Sequence, residues 1–197
     1  MAHNFLYGSR AVAGRPSSVN RLKKSAIKVL IKKPGSSLAE LASAAGIGRA
    51  TLHRHFTSRD QLISTLLLEC LQAVERTYAD IEARYSMDYR EQLLQMVGGF
   101  VELESEYCFL LRDWGVSDSE SVHDTLRNHQ SAWDLYLQFM MDTNILRADL
   151  SLAWHRTGID GLISGAWISI EEQEVGMKQA VRLTREAVEK AFMVPVQ

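Results

Sequence analysis

Two cysteines in 197 residues, Cys70 and Cys108, exclude a disulfide framework and any cysteine-based metal site, because neither has a partner at ligand spacing. Both stand in apolar helical runs and read as small buried hydrophobes. Proline is equally scarce, at three, and with only twelve glycines the chain has few helix breakers. Hairpin signals are nearly missing; the single Asp-Gly pair, Asp160 and Gly161, lies inside a helical pattern. No apolar run reaches membrane-spanning length and no charged-then-apolar leader opens the chain, so the expectation is a cytoplasmic protein with no membrane partner. Enzyme signals are also lacking. There is no phosphate-cradling glycine loop and no Gly-x-Ser-x-Gly. Ser25 and Lys28 match Ser-x-x-Lys without its companion motifs, on a lysine-rich amphipathic helix. His53 and His55, two residues apart, point about 200° apart on a helix, which is wrong for one metal. His123, His129 and His155 form no ligand pattern. The expectation is a chain that is not an enzyme and carries no cofactor or metal.

What is present is a core and an uneven distribution of charge. At 46% hydrophobic and 23% charged, the chain can bury a core and fold. Its net charge of −2 conceals an asymmetry. Residues 1–60 hold eleven Lys/Arg and two Asp/Glu, a balance of +9, and the remaining eleven Lys/Arg and twenty-two Asp/Glu give residues 61–197 a balance of −11. A basic head on an acidic body points the head at a polyanion.

Helical periodicity runs through nearly the whole chain, and the predicted fold class is all-α. Residues 1–17 read as a flexible basic arm carrying Arg10 and Arg15. Leu22, Ala26, Val29 and Leu30 recur on one face of a helix from Ser18 to about Lys33, stopped by Pro34 and Gly35. Ser37 and Glu40 form a capping-box pattern that starts a short helix ending near Ala45. A third covers about Arg49–His55. From Ser58, Ile63, Leu67, Leu71, Val74, Tyr78, Ile81 and Tyr85 step by three or four, which predicts a helix of roughly 40 Å. Asp88 starts another, to about Leu111, with a bend expected at Gly98 and Gly99. A loop is expected over residues 112–117, then helices from Ser117 to about Asp142, from an Asp149 cap to about Glu174, and from Met177 to about Met193. The division implied is a basic arm (1–17), a small helical domain (18–57) and a larger helical domain (58–197).

The stretch from Ser37 to Phe56 carries the functional signal. Two short helices flank a glycine turn at Gly46. Ala42 is small enough for them to approach, and Leu38, Leu41 and Leu52 face a shared core. That is a helix-turn-helix, whose second helix lies in the major groove. Arg49, Ala50, His53 and Arg54 lie away from Leu52; Arg49 and Arg54 suit guanine or phosphate, and Thr51, His53 and His55 suit phosphate. For His55 a buried structural role is the alternative. Ser36 and Ser37 at a helix start are further phosphate candidates, and Arg15 could reach a minor groove.

The run from Gly46 to Phe56, continued by Ser58, Arg59, Asp60, Gln61 and Leu62, resembles the TetR family of regulators, as does Gly14-Arg15-Pro16 upstream. The likeness covers about residues 14–68. His53 replaces the family's usual tyrosine, Gly48 a capping Ser or Thr, and Arg59 a lysine expected to touch phosphate. The resemblance implies a repressor that binds double-stranded operator DNA, forms a homodimer through its last two helices and is released by a small-molecule effector. The aromatic and methionine-rich stretch of residues 100–140 offers candidates for the effector site in Tyr107, Trp114, Trp133, Tyr136, Phe139 and Met140, with plain core packing as the alternative for each. Gly158, Gly161 and Gly165 suit close helix contact at a dimer seam or within one chain.

Overall fold

A computed structural model describes residues 18–103, 109 and 119–196. Among them lie eight helices: α1 (Ser18–Lys32), α2 (Leu38–Ala44), α3 (Arg49–His55), α4 (Arg59–Arg84), α5 (Tyr89–Glu102), α6 (Glu120–Asp142), α7 (Leu152–Glu171) and α8 (Met177–Phe192). The all-α expectation holds, with one isolated bridge between Leu146 and Met193 as the only β pairing among the described residues.

The head forms because α1, α2 and α3 each bury one stripe against the others. Leu22, Ala26, Ile27 and Leu30 of α1 meet Leu41 and Ala42 of α2 and Leu52 of α3, all 4% exposed or less. Helix α2 starts on a capping box, with the Ser37 hydroxyl accepting from the Glu40 N–H and the Glu40 carboxylate accepting from the Ser37 N–H. It stops at Gly46, whose φ of +65° is the left-handed conformation a side chain resists. The Gly46 N–H donates to Ser43 O at 3.0 Å and the Ile47 N–H to Ala42 O at 2.9 Å, the double closure of a Schellman turn.

Helix α4 joins head to body. Leu62, Ile63, Leu66 and Leu67, at 1% exposed or less, continue into Cys70, Leu71 and Val74 with no break in the core. In the body, α5 packs chiefly on α8, and α8 on α7. The segment after α8 closes the bundle: the Arg147 N–H donates to Phe192 O, and the Val194 N–H to Ile145 O. Arg90 of α5 donates to Val194 O at 2.8 Å and pairs with Glu189 at 3.0 Å.

Two expectations shift. The helix after residue 149 is capped by Ser151, whose hydroxyl accepts from the Trp154 N–H, while Asp149 pairs with Arg147. Helix α5 runs through Gly98 and Gly99 without interruption. Those glycines allow close approach: a Cβ would lie 3.2 Å from Val181 of α8 at Gly98, and 2.7 Å from Thr77 of α4 at Gly99. The predicted loop over 112–117 and the end of its preceding helix lie outside the described residues.

Gly158 of α7 is the tightest such contact, with the Phe192 ring 2.3 Å from where a Cβ would stand. Gly158→Ala is therefore expected to lower stability by about 1–3 kcal/mol despite alanine's better helix propensity. Urea unfolding measures it; an unchanged or raised midpoint would show that Phe192 moves aside without cost.

Candidate DNA-binding face and effector cavity

Two features stand out, one at each end of α4. The first is α3. Only Leu52, at 1% exposed, turns inward; Arg49, Ala50, His53, Arg54 and His55 are exposed and Thr51 is half-buried. His55 is thus a surface residue and the buried alternative falls away. Gly48 caps the helix in extended conformation with no side-chain bond. The head also carries Arg21, Lys24 and Lys28 on exposed positions of α1, where they line a groove with Ala44 and Ala45 at the end of α2.

Three expected contacts are placed differently. Ser36 is 0% exposed, and its hydroxyl donates to Lys33 O at 2.9 Å, so it stabilises the turn before α2 and has no surface to offer a phosphate. The guanidinium of Arg59 reaches back across the head. It donates from Nε to Ser36 O at 2.9 Å and from a terminal nitrogen to Pro34 O, fixing that turn rather than facing outward. Ser37 is exposed, but its N–H already serves the Glu40 carboxylate at 2.6 Å. Its hydroxyl accepts from Glu40 and keeps a proton to donate. The Glu40 carboxyl is held down to about 2, first by the Lys33 ammonium at 2.6 Å and then by the Ser37 N–H, so it is a carboxylate at every physiological pH. Arg15 lies outside the described residues.

The second feature is a cavity of about 580 Å³ between α4 and α6. On α4 its wall is Glu75, Tyr78, Ala79 and Glu82, spaced i, i+3, i+4, i+7 along one stripe. On α6 it is Thr125, Asn128, His129, Ala132, Trp133 and Tyr136, again one stripe. The space exists because the two helices face each other there with alanines, Ala79 and Ala132, where α4 had placed leucines a few turns earlier. Aromatic rings form its floor. Tyr78 lies edge-on to Trp133, Tyr136 and Phe100 at centroid distances of 5.7, 6.2 and 5.2 Å, and Trp133 stacks on Tyr136 at 5.4 Å and 11°. The Tyr136 hydroxyl donates to Gln92 Oε1 at 2.9 Å, which anchors the wall to α5.

Of the residues expected at an effector site, Trp133 and Tyr136 line this cavity. Met140 is 0% exposed and belongs to the core. Phe139, one turn beyond Tyr136, lies past the end of the cavity and packs on Tyr89 of α5 at 5.0 Å. Tyr107 and Trp114 lie outside the described residues. Sequence reasoning missed Glu75, Glu82 and His129. Glu75 and Glu82 stand on exposed positions beside the apolar stripe of α4, where sequence alone reads them as solvated charges until the facing helix is known. Burial pushes both Tyr78 and Tyr136 above the ordinary phenol value, with the Glu82 charge adding to the effect at Tyr136.

Burial also lowers His129, and the nearby Glu75 carboxylate offsets this only in part. The imidazole is therefore neutral at neutral pH. Because the folded state resists its protonation and the unfolded chain does not, the group costs stability as pH falls below about 6.5. In a proton NMR titration His129 is expected to titrate below that value; a midpoint at or above it would show Glu75 outweighing burial.

Comparison with known proteins places these features in context. Residues 24–66 match the family model for bacterial regulatory proteins of the tetR family. The HTH-type transcriptional regulator NfxB of Pseudomonas aeruginosa is 33% identical over a stretch covering 39% of this chain and 48% of its own length. The chain thus spans about half of that curated relative. Among solved structures, the MbdR regulator of Azoarcus sp. CIB superposes with a TM-score of 0.68 at 12% identity, covering 90% of this chain and all of its own. The ketosteroid regulator KstR2 of Mycobacterium tuberculosis gives 0.66 at 17% identity, covering 94% and 100%. The TetR-like regulator LfrR of Mycobacterium smegmatis, solved with proflavine, gives 0.63 at 17%, covering 91% and 97%. At such identities the structural matches establish the shared fold.

Proposed function

We propose that this chain, which belongs to the TetR family of regulators, is a homodimeric transcriptional repressor. It binds a near-palindromic operator through α3 and leaves it when a small molecule fills the cavity between α4 and α6. The observation that carries the reading is the exposure of α3. A seven-residue helix held by one leucine, with Arg49, His53, Arg54 and His55 outward on a basic head, has no stabilising role that requires those side chains. It has the dimensions to enter a major groove. In this reading Arg49 and Arg54 meet base edges or phosphate, Thr51, His53, His55 and Ser37 meet phosphate, and Ala50 allows close approach. Arg59 acts as a positioning residue by holding the turn before α2. Residues 18–57 are the DNA-binding domain and the body senses and dimerises, with the cytoplasm as the place of action.

The dimer face is supported by one stripe of α7. Trp154, Thr157, Gly161, Gly165 and Ile168 recur at helical spacing and are exposed in the single chain, Trp154 by 61% and Ile168 by 47%, with Leu183 of α8 beside them at 43%. An apolar stripe on the last two helices, flattened by two glycines, suits packing against a second copy. A Cβ at Gly161 or Gly165 meets nothing within 4 Å in the protomer. Gly165→Leu is therefore expected to leave the circular dichroism spectrum unchanged and shift sedimentation from dimer to monomer. A wild-type monomer that holds a single half-site at full affinity would overturn the dimer.

For the DNA face, a genomic footprint supplies the operator and titrations of variants follow. Arg49→Ala or Arg54→Ala is expected to lose about 1–3 kcal/mol and relax preference at one or two base pairs. Uniform weakening on all sequences would make the residue a phosphate contact, and undiminished binding by both variants would remove α3 from the interface.

A further inference from the structure

The cavity between α4 and α6 carries more information than its position. Among the described residues, its charged side chains are two carboxylates, Glu75 and Glu82, on the same stripe of α4 and bracketing Tyr78, with no lysine or arginine beside them. Neither carboxylate makes an ion pair among the described residues. The other ionisable groups are phenols and a neutral imidazole. The floor is the half-buried Tyr136 ring stacked on the buried Trp133, with Tyr78 edge-on to both at 66° and 76°. Aromatic faces are negative at their centres and attract cations within about 6 Å. Carboxylates and ring faces of one sign, opening into a cavity of drug-like size, select for positive charge on a flat body.

A second, independent observation lies at the same wall. Trp133 is 5% exposed, and its indole N–H has no acceptor among the described residues. A buried N–H without an acceptor forfeits a hydrogen bond, which native proteins seldom tolerate without reason. An ether or carbonyl oxygen on a molecule lying against Trp133 would supply the acceptor.

We infer that the cavity takes planar aromatic monocations carrying a hydrogen-bond acceptor, held between the Trp133–Tyr136 faces and the Glu75 and Glu82 carboxylates. This assignment rests on the proposed sensing role of the cavity. The ring system lies against Trp133 and Tyr136, with Tyr78 closing one end. The positive charge lies towards the α4 side, where Glu75 and Glu82 stand two turns apart, about 10 Å along the helix axis. A ligand with extended conjugation reaches both carboxylates, and one with a localised charge meets only one of them. Both carboxylates are exposed, so their attraction is screened by salt.

The test uses two dyes sharing one xanthene ring system, rhodamine 123, a monocation with an ester carbonyl, and fluorescein, an anion. Each is titrated into the full-length protein without DNA and followed by fluorescence polarisation. Rhodamine 123 is expected to bind saturably and at least about tenfold more tightly than fluorescein. The double variant Glu75→Gln, Glu82→Gln should remove that preference, weakening rhodamine 123 by roughly tenfold for each carboxylate while leaving fluorescein unchanged or improved. Added sodium chloride should weaken rhodamine 123 binding to the wild type and have little effect on the double variant. Ala132→Trp, a substitution at an exposed position, fills the cavity and should abolish binding of both dyes. If both dyes bind equally and both are blocked by Ala132→Trp, the cavity is a ligand site and the cation assignment fails. If rhodamine 123 binding survives Ala132→Trp, or no saturable binding occurs, the assignment and the sensing role of the cavity fall together.

Discussion

The burial of one stripe of α4 is the constraint on which the rest depends. Neither end of the molecule has a complete core without it. Leu62, Ile63 and Leu66 fill the space under α1, and Cys70, Leu71 and Val74 carry the same stripe into the body. Each of these side chains contributes on the order of 1.5–3 kcal/mol by leaving water, so the helix cannot detach from either neighbour without losing several such terms at once. Its far half lines the cavity, and its first residue, Arg59, grips the turn before α2 through two backbone carbonyls. Under the proposed function, a ligand acts only through its preference for one placement of this helix over another.

Much of this was legible in the residues because local rules and tertiary demands agree in the head. Gly46 ends α2 where a left-handed residue is required, Ser37 and Glu40 start it, and Leu52 is the one inward position of α3. Helix α3 itself runs from Arg49 to His55 as its pattern indicated. Legibility declined where a side chain's role depends on a distant partner. Arg59 carries the charge of a phosphate contact, and nothing local to it announces that Pro34 and Ser36 present carbonyls within its reach. Ser36 has the chemistry of a surface donor and is buried because α4 passes over it. Phe139 and Met140 belong to the same aromatic run as Trp133 and Tyr136, yet a single helical turn separates cavity wall from core. Asp149 and Ser151 are both good caps, and an ion pair with Arg147 decided between them.

Charge and packing divide the work between the two ends. The head's positive balance remains largely unneutralised, since Arg49 and Arg54 form no ion pair among the described residues, whereas Lys23 and Lys32 are paired with carboxylates of the body. Lys23 pairs with Glu69 of α4, and Lys32 with Glu171 at the end of α7, 3.1 Å away. The second pair joins the end of α1 to the end of α7, and its partners are 139 residues apart in sequence. As an exposed pair it adds little stability.

Cys70 offers a different view of the same joint. Its thiol is 1% exposed, on the inner face of α4 where the groove beside α1 is lined by Ile27 and Leu66. A thiol so placed reacts with a solution reagent only while α1 and α4 are transiently apart. The rate of its modification is therefore a clock for the local opening of the head, set by the free energy of that opening rather than by the chemistry of sulfur. The residue that composition alone would dismiss as filler thus supplies the molecule with an internal reporter, one that records how often the joint between α1 and α4 comes undone.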